Sequence, residues 1–396
     1  MSDGALAGLK VIDLSCVLGG PLCGQTLADH GAEVIKVEPP GGDETRRWGW
    51  WKEDGYGSYF IGLNRNKRSL SLDLSTPQGR EVLFRLLEDA DVMVENFKAG
   101  TLEKWGIGYD ELLRDRFPRL IHCRVTGFGT DGPLGGYPGY DAVLQAAGGI
   151  MSVNGERGGE TLRVGLPLVD IGTGMWAVTG VLMALLERHK SGKGQSVEAC
   201  LYDTAVSLLH PVAAGWLMTG DTPERWGNAH PSVSPYDMYK TGNGDIFLGV
   251  GTDAQFRRLC AVLENPGLAD DPRFETNVKR AANQTALRSE LEGLLADQDG
   301  HALCDRLLEA SVPASPVNSV PETLNHPHTA HRQMVAEADG VKMTGIPVKL
   351  GRTPGSVRAA PPRFAAHGRA VLAEYGYSDT EIDDLIADGA VVETQR

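Results

Sequence analysis

L-K-V-I-D-L-S-C-V-L-G-G-P-L-C-G-Q-T-L-A-D-H-G-A-E-V-I-K-V-E, residues Leu9 to Glu38, carries the pattern from which the fold is read. Leu9 to Ser15 and Ala32 to Glu38 are short apolar runs of strand character. Gly20 to His30 between them is a helix, opened by Gly19, Gly20 and Pro21. That is a β-α-β unit, whose two strands run parallel. The loop after the first strand lacks G-x-G-x-x-G, and G-x-x-x-x-G-K-[ST] occurs nowhere in the chain. A simple dinucleotide or P-loop reading therefore loses ground.

Outward from this unit the alternation repeats. An aromatic, Gly-rich loop (Trp48, Trp50, Trp51, Tyr56, Tyr59, Phe60) leads to a strand at Ser69 to Leu74. A helix from Pro77 to about Ala90, started by Ser75 or Thr76, precedes a strand at Asp91 to Phe97. Leu120 to Gly129 and Gln195 to Tyr202 read as further strands, and Asp141 to Gly148 and Thr204 to Met218 as helices. Such alternation predicts an α/β fold, a largely parallel sheet covered on both faces. Ligands of such sheets bind beyond the carboxyl ends of the strands, and Phe97, Gly127 and Asp170 lie just past apolar runs.

The texture changes at Gly220 to Tyr236, which is rich in Gly, Pro and Asn. Beyond it come a short strand at Asp245 to Val250 and helices near Gln255 to Leu263, Asn283 to Leu295 and His301 to Ala310. The predicted organisation is a large domain over 1–218, a smaller α+β domain over 226–325, and a C-terminal segment, 335–396, returning to the large domain. Gly368 to Ala390 in that segment reads as helix.

The chain has 396 residues and a formal net charge of −14, which argues against a general nucleic-acid or membrane-surface binder. N-R-N-K-R-S at Asn64 to Ser69 is either a local basic pocket or a solvated turn. The six cysteines (Cys16, Cys23, Cys123, Cys200, Cys260, Cys304) show no C-x-x-C pair and no histidine at metal spacing. They read as reduced thiols of a cytoplasmic protein without a bound metal, and no export signal is expected at the N-terminus. The apolar helix Ala177 to Leu186 is expected to be too short for a bilayer, which needs roughly 20 residues.

Asp170 lies in G-L-P-L-V-D-I-G-T-G-M-W-A-V-T-G, Gly165 to Gly180. It stands between an apolar run and two glycines, Gly172 and Gly174, that open a helix with Met175, Val178, Leu182 and Leu185 on one face. One reading makes Asp170 a helix cap. The other makes it a reactive carboxylate, with the glycines leaving room for a substrate carbonyl. Spacing alone leaves both open.

With these residues in view, the chain resembles the class III CoA-transferase family, which includes carnitine and formyl-CoA transferases and α-methylacyl-CoA racemases. The matching runs are L-K-V-I-D-L-S, G-A-E-V-I-K-V-E-P-P-G-G-D, N-R-N-K-R-S-L-S-L-D-L, D-V-M-V-E-N-F, G-F-G, Gly139-Tyr140-Asp141, the Asp170 segment, G-K-G-Q-S-V-E and D-P-R-F-E-T-N. They occur in order over nearly the whole chain. The resemblance implies a Rossmann-like large domain formed by both chain ends, and a homodimer of interlocked rings. It makes Asp170 the catalytic nucleophile, which takes up the acyl group and then CoA as an aspartyl thioester. CoA and acyl-CoA are then substrates, with no permanent cofactor, and a small carboxylic acid is the acceptor.

By the same resemblance, Val17 and Leu18 line the pantetheine and acyl region. Leu72, Asp73, Leu74 and Ser75, with Asn96, Phe97 and Lys98, form CoA-contacting loops. Lys104 faces the nucleotide phosphates, and Tyr140 lies beside the thioester. An aspartate with a reference pKa of about 3.9 is already ionised at neutral pH and needs no partner base. Oxyanion donors are expected from Gly172 to Gly174 or from the loop Gly227 to His230. Arg46, Arg47 or Arg163 is a candidate partner for a second substrate carboxylate. Where oxalate-type relatives carry glutamine and arginine, this chain has Leu18 and Pro39, which favours succinyl-CoA as donor. Two alternatives within the family are a 2-methylacyl-CoA racemase and a non-catalytic CoA-binding subunit. The racemase typically has a histidine where Tyr140 stands, and tyrosine, with a reference pKa near 10, is a poor base at about pH 7.

Overall fold

The computed structural model describes residues 4–50 and 56–394, so Trp51 of the aromatic loop lies outside the described residues. Six strands form one sheet: β1 (Lys10–Asp13), β2 (Glu33–Glu38), β3 (Lys67–Ser71), β4 (Val92–Glu95), β5 (Ile121–Thr126) and β6 (Ser196–Cys200). Their order is β3-β2-β1-β4-β5-β6, and every neighbouring pair is parallel. Val11 stands opposite Val34 on one side and Val92 on the other; one residue on, Ile12 stands opposite Ile35 and Met93.

Because side chains alternate along a strand, these two rows face opposite ways, and both are apolar. Val11, Val34 and Val92 enter a core with Leu27, Ala177 and Val181 from helices α1 (Gly19–Asp29) and, further along the chain, Leu168–Ser191. Ile12, Ile35 and Met93 enter another with Leu83 and Leu86 of α2 (Pro77–Leu87), whose first turn is capped by Thr76. Val371 and Ile382, from C-terminal helices at Gly368–Glu374 and Asp379–Ala387, complete that second core. The expected parallel sheet with helices on both faces is present.

Two compact units emerge among the described residues. One comprises those up to 150, 163–213 and from 327; the other comprises 151–162 and 214–326. The second unit holds an antiparallel sheet of Tyr236–Thr241, Gly244–Gly249 and Ala314–Pro316. Helices Asp253–Val262, Gln284–Leu295 and Gly300–Glu309 cover it, with Ile246, Leu248, Phe256, Leu287 and Leu303 in the core.

Several sequence expectations are corrected. The third strand begins at Lys67 rather than Ser69 and ends at Ser71, while Leu72 bridges instead to Val391. N-R-N-K-R-S is neither an open basic pocket nor a solvated turn, because acids distant in sequence neutralise it. Lys67 Nζ donates to Asp13 Oδ2 (2.8 Å), Arg65 Nη2 to Asp29 Oδ2 (2.6 Å), and Arg68 pairs with Glu33 and Glu374. The stretch Thr204 to Met218 forms two helices, Leu201–Ser207 and Val212–Thr219. Pro211 breaks it, since proline has no N–H and disfavours helical geometry in the preceding residue.

The apolar helix expected at Ala177 to Leu186 in fact spans 24 residues, Leu168–Ser191, here called α4, following α3 (Asp141–Ala147). By length and composition alone it could cross a membrane, with a mean hydropathy of 1.6. Its buried face is Val169, Thr173, Gly174, Ala177, Val181, Ala184 and Arg188; of the predicted row, Val178 and Leu185 pack partly buried against that core, while Met175 and Leu182 are exposed. Small residues prevail on the buried side because α4 lies close against α1 and the sheet.

Candidate active site

In the sheet order, the chain moves outward from β1 to β3 on one side and from β4 to β6 on the other. Loops leaving β1 and β4 therefore part, and a crevice opens beyond their carboxyl ends. A cleft of about 460 Å³ occupies this place. It is lined by Val17, Leu18 and Gly19 after β1, Asn96, Phe97 and Lys98 after β4, and Thr126 and Gly127 at the end of β5. Tyr137, Tyr140 and Asp170 close another side.

Asp170 is the third residue of α4, inside its first turn, and the helix N-terminus has no side-chain cap from its own flanking residue. The cap comes from Asp141 at the start of α3. Its Oδ1 accepts the N–H groups of Val169 (2.8 Å) and Asp170 (3.2 Å), and its Oδ2 accepts Gln145 Nε2 (2.6 Å). Gln145 Oε1 in turn accepts Val164 N–H at 2.8 Å, tying down the segment that leads into α4. The reading of Asp170 as a cap is thereby corrected: no donor among the described residues reaches its carboxyl.

Burial, with the Asp141 carboxylate nearby as the lesser cause, pushes the Asp170 pKa up to about 7. Taking a carboxylate out of water disfavours its charged form, and a second negative charge adds to the effect. The expectation that Asp170 is already fully ionised at neutral pH is corrected accordingly. The acid and its conjugate base then coexist near pH 7.

The glycines of this segment do not open space for a ligand. A Cβ on Gly174 would lie 2.8 Å from Gly19 O and 2.9 Å from Leu22 Cδ2, and one on Gly172 would lie 2.9 Å from Thr204 Cγ2. They permit close packing of α4 against α1 and against the helix Leu201–Ser207. Their N–H groups fall within the i→i−4 ladder of α4, so they are not free oxyanion donors. The alternative loop, Gly227 to His230, belongs to the second unit, where Gly227 N–H bonds to Gly155 O at 3.0 Å.

Of the residues singled out from sequence, Val17, Leu18, Asn96, Phe97, Lys98, Tyr140 and Asp170 meet at the cleft. Leu72 and Leu74 lie in the core under α2, and Asp73 binds Ser75 N–H at 2.9 Å; none of these four lines the cleft. Lys104 is exposed outside it. Arg46 is committed to Glu38 through two 2.7 Å bonds and lies 3.6 Å over the Phe60 ring, so it is not free for a substrate carboxylate. Arg47 and Arg163 are exposed and do not line the cleft. Sequence reasoning missed Gly19 and Glu44 as lining residues and Asp141 as the cap. The only signal for the latter was the aspartate of G-Y-D at a helix start.

The chain and its fold are similar to known proteins. The sequence profile of CoA-transferase family III matches residues 6–368. The chain is 39% identical, over 93% of its length and 95% of the relative, to a succinate–glutarate CoA-transferase of Agrobacterium fabrum. It is also 39% identical, over 94% of its length and 97% of the relative, to a succinyl-CoA:mesaconate CoA-transferase of Haloarcula hispanica. Among solved structures, a CaiB/BaiF family protein from Brucella suis aligns with a TM-score of 0.87 and 38% identity, covering 95% of this chain and 100% of that one.

Proposed function

The chain belongs to CoA-transferase family III, and from that membership we propose that it moves CoA from succinyl-CoA to a small dicarboxylic or hydroxy acid through a covalent intermediate on Asp170. The observation that carries this reading is the Asp170 carboxyl itself. It lines the cleft, accepts no hydrogen bond from the described residues, and is poised near neutrality by burial.

In its deprotonated form, an Asp170 oxygen attacks the thioester carbonyl carbon. The C–S bond breaks, CoA leaves as thiolate, and a mixed anhydride remains. Thiolate then attacks the aspartyl carbonyl, releasing the donor acid as carboxylate and leaving an aspartyl-CoA thioester. The acceptor carboxylate attacks that thioester, expelling CoA thiolate and forming a second anhydride. Attack of the thiolate on the acceptor acyl carbon forms the new acyl-CoA and returns Asp170. One thioester replaces another, so the exchange is near balance and consumes no nucleotide.

The two relatives above are both named for succinate or succinyl-CoA, which supports succinyl-CoA as donor. Lys98 is the one lysine or arginine that lines the cleft among the described residues, and suits the anionic CoA. An intertwined homodimer completes the proposal. Met175, Trp176, Met183 and Leu186 on the outward face of α4 form an apolar surface of the kind a subunit interface covers. Six unpaired cysteines support a reducing, cytoplasmic setting. Initial rates of CoA transfer from succinyl-CoA to a panel of mono- and dicarboxylic acids test the substrate assignment. Transfer to dicarboxylic or hydroxy acids supports it; exchange confined to monocarboxylates removes it.

A further inference from the structure

In the turn between β1 and α1, Leu14 N–H still bonds to Val94 O at 2.8 Å, but Ser15 and Cys16 are held by side chains. Ser15 N–H donates to Asp13 Oδ1 at 3.0 Å, and Ser15 O accepts Lys36 Nζ at 2.8 Å. Lys36 is buried and pairs with Asp43 at 3.0 Å. Asn96 holds the next residue at both ends: its Oδ1 accepts Cys16 N–H at 2.9 Å and its Nδ2 donates to Cys16 O at 2.7 Å. Val17, which follows, sits at a φ of 70°, a left-handed conformation that β-branched residues resist. Such a conformation persists only where its surroundings over-determine it.

A helix extended backward from α1 would use Ser15 O and Cys16 O as acceptors for the N–H groups of Gly19 and Gly20, four residues on. Lys36 and Asn96 already occupy those carbonyls. No acceptor for Gly19 N–H is found among the described residues, and Gly19 lines the cleft. Gly19 is also packed against the nucleophile's own helix turn, since a Cβ placed on it would lie 3.4 Å from Asp170 O.

We infer that Asn96 is a positioning residue that acts through the Cys16 peptide to fix the Val17–Gly19 turn against Asp170. Its carboxamide is spent on the protein main chain, so its side chain does not bind CoA. This inference rests on the reading that Asp170 carries the transfer.

Asn96→Asp keeps the acceptor for Cys16 N–H and loses the donor to Cys16 O; Asn96→Ala loses both. For Asn96→Ala the expected result is a kcat lowered roughly 10–100-fold, as for a displaced catalytic element. Asn96→Asp falls between it and the wild type. The Kd for free CoA by calorimetry stays within about threefold, since no ligand contact is lost. Hydrogen exchange in the peptide spanning 14–19 accelerates in step with the loss of kcat. A Kd for CoA that rises while hydrogen exchange in 14–19 keeps the wild-type rate would make the Asn96 side chain a CoA contact and overturn the inference, as would an unchanged kcat.

Should neither variant fold, hydrogen exchange of the wild-type protein decides. Slow exchange of the Cys16 amide, which lies outside any strand, supports the clamp; exchange at the rate of an open loop overturns it. Labelling of Asp170 by acyl-CoA in the wild type is measured alongside. No Asp170 adduct there refutes the covalent reading, whereas an adduct formed equally fast in the Asn96 variants refutes only the positioning role.

Discussion

Asp141 Oδ1 accepts the main-chain N–H groups of both Val169 and Asp170, at 2.8 and 3.2 Å, so one carboxylate caps the helix turn that carries another. The arrangement joins two effects of opposite sign. Asp141 stabilises the helix start, and its charge helps hold the Asp170 carboxyl toward its neutral form.

Substitution separates the two effects. Asp141→Ala leaves both N–H groups uncapped and Gln145 without its 2.6 Å partner, which is expected to cost about 1–3 kcal/mol in denaturant unfolding. Asp141→Asn retains an acceptor but removes the charge, so the Asp170 pKa falls. The rising limb of kcat/KM against pH then moves to lower pH than in the wild type. A limb that stays in place or moves upward contradicts the assigned cause.

The pH dependence of Asp170 itself has a definite sign. Since its pKa in the fold is raised to about 7, kcat/KM for the acyl-CoA donor is expected to climb with pH through that value and then level. Stability runs the other way. The folded state holds the proton more tightly than the unfolded chain, so this contribution is full below the unfolded pKa and is lost as pH rises toward 7. Asp170→Asn, which cannot ionise, should therefore melt above the wild type at pH 8, by on the order of 1–4 kcal/mol, with the difference shrinking toward pH 4. Melting curves of both proteins across that range check the sign.

Gly174→Ala tests the close approach of α4 and α1. Alanine favours a helix interior by about 1 kcal/mol over glycine, but here its Cβ would sit 2.8 Å from Gly19 O, a main-chain atom. Overpacking of this kind costs about 1–3 kcal/mol, so a lower melting temperature is expected. Since the displaced atom belongs to Gly19, kcat should fall as well. A melting temperature above that of the wild type would show that propensity wins and that the helices separate freely.

The sheet was legible because its signal is local. Val11 and Ile12 alternate between two apolar cores within one strand, and the same pattern recurs at Val34 and Ile35 and at Val92 and Met93. What escaped the sequence depends on partners far along the chain. Lys67 reads as part of a basic pocket or of a solvated turn until Asp13 is found beside it, and Asp170 stays open between a cap and a reactive carboxylate until Asp141, 28 residues from Val169, takes the cap's place. Gly172 and Gly174 look like space for a ligand because a sequence does not display the helices that fill it. The full length of α4 escaped for a related reason. Glu187, Arg188 and His189 look like an end, yet Arg188 is buried and donates to Asp91 Oδ1 at 2.7 Å.

The central claim is that Asp170 becomes covalently acylated and then carries CoA. Intact-protein mass spectrometry after incubation with succinyl-CoA, with and without hydroxylamine, tests it on the wild type and on Asp170→Ala. The account predicts a CoA-sized adduct on the wild type, convertible to a hydroxamate that maps to Asp170 and is missing from the variant. An adduct that persists in Asp170→Ala, or transfer activity that survives in it, would contradict the account.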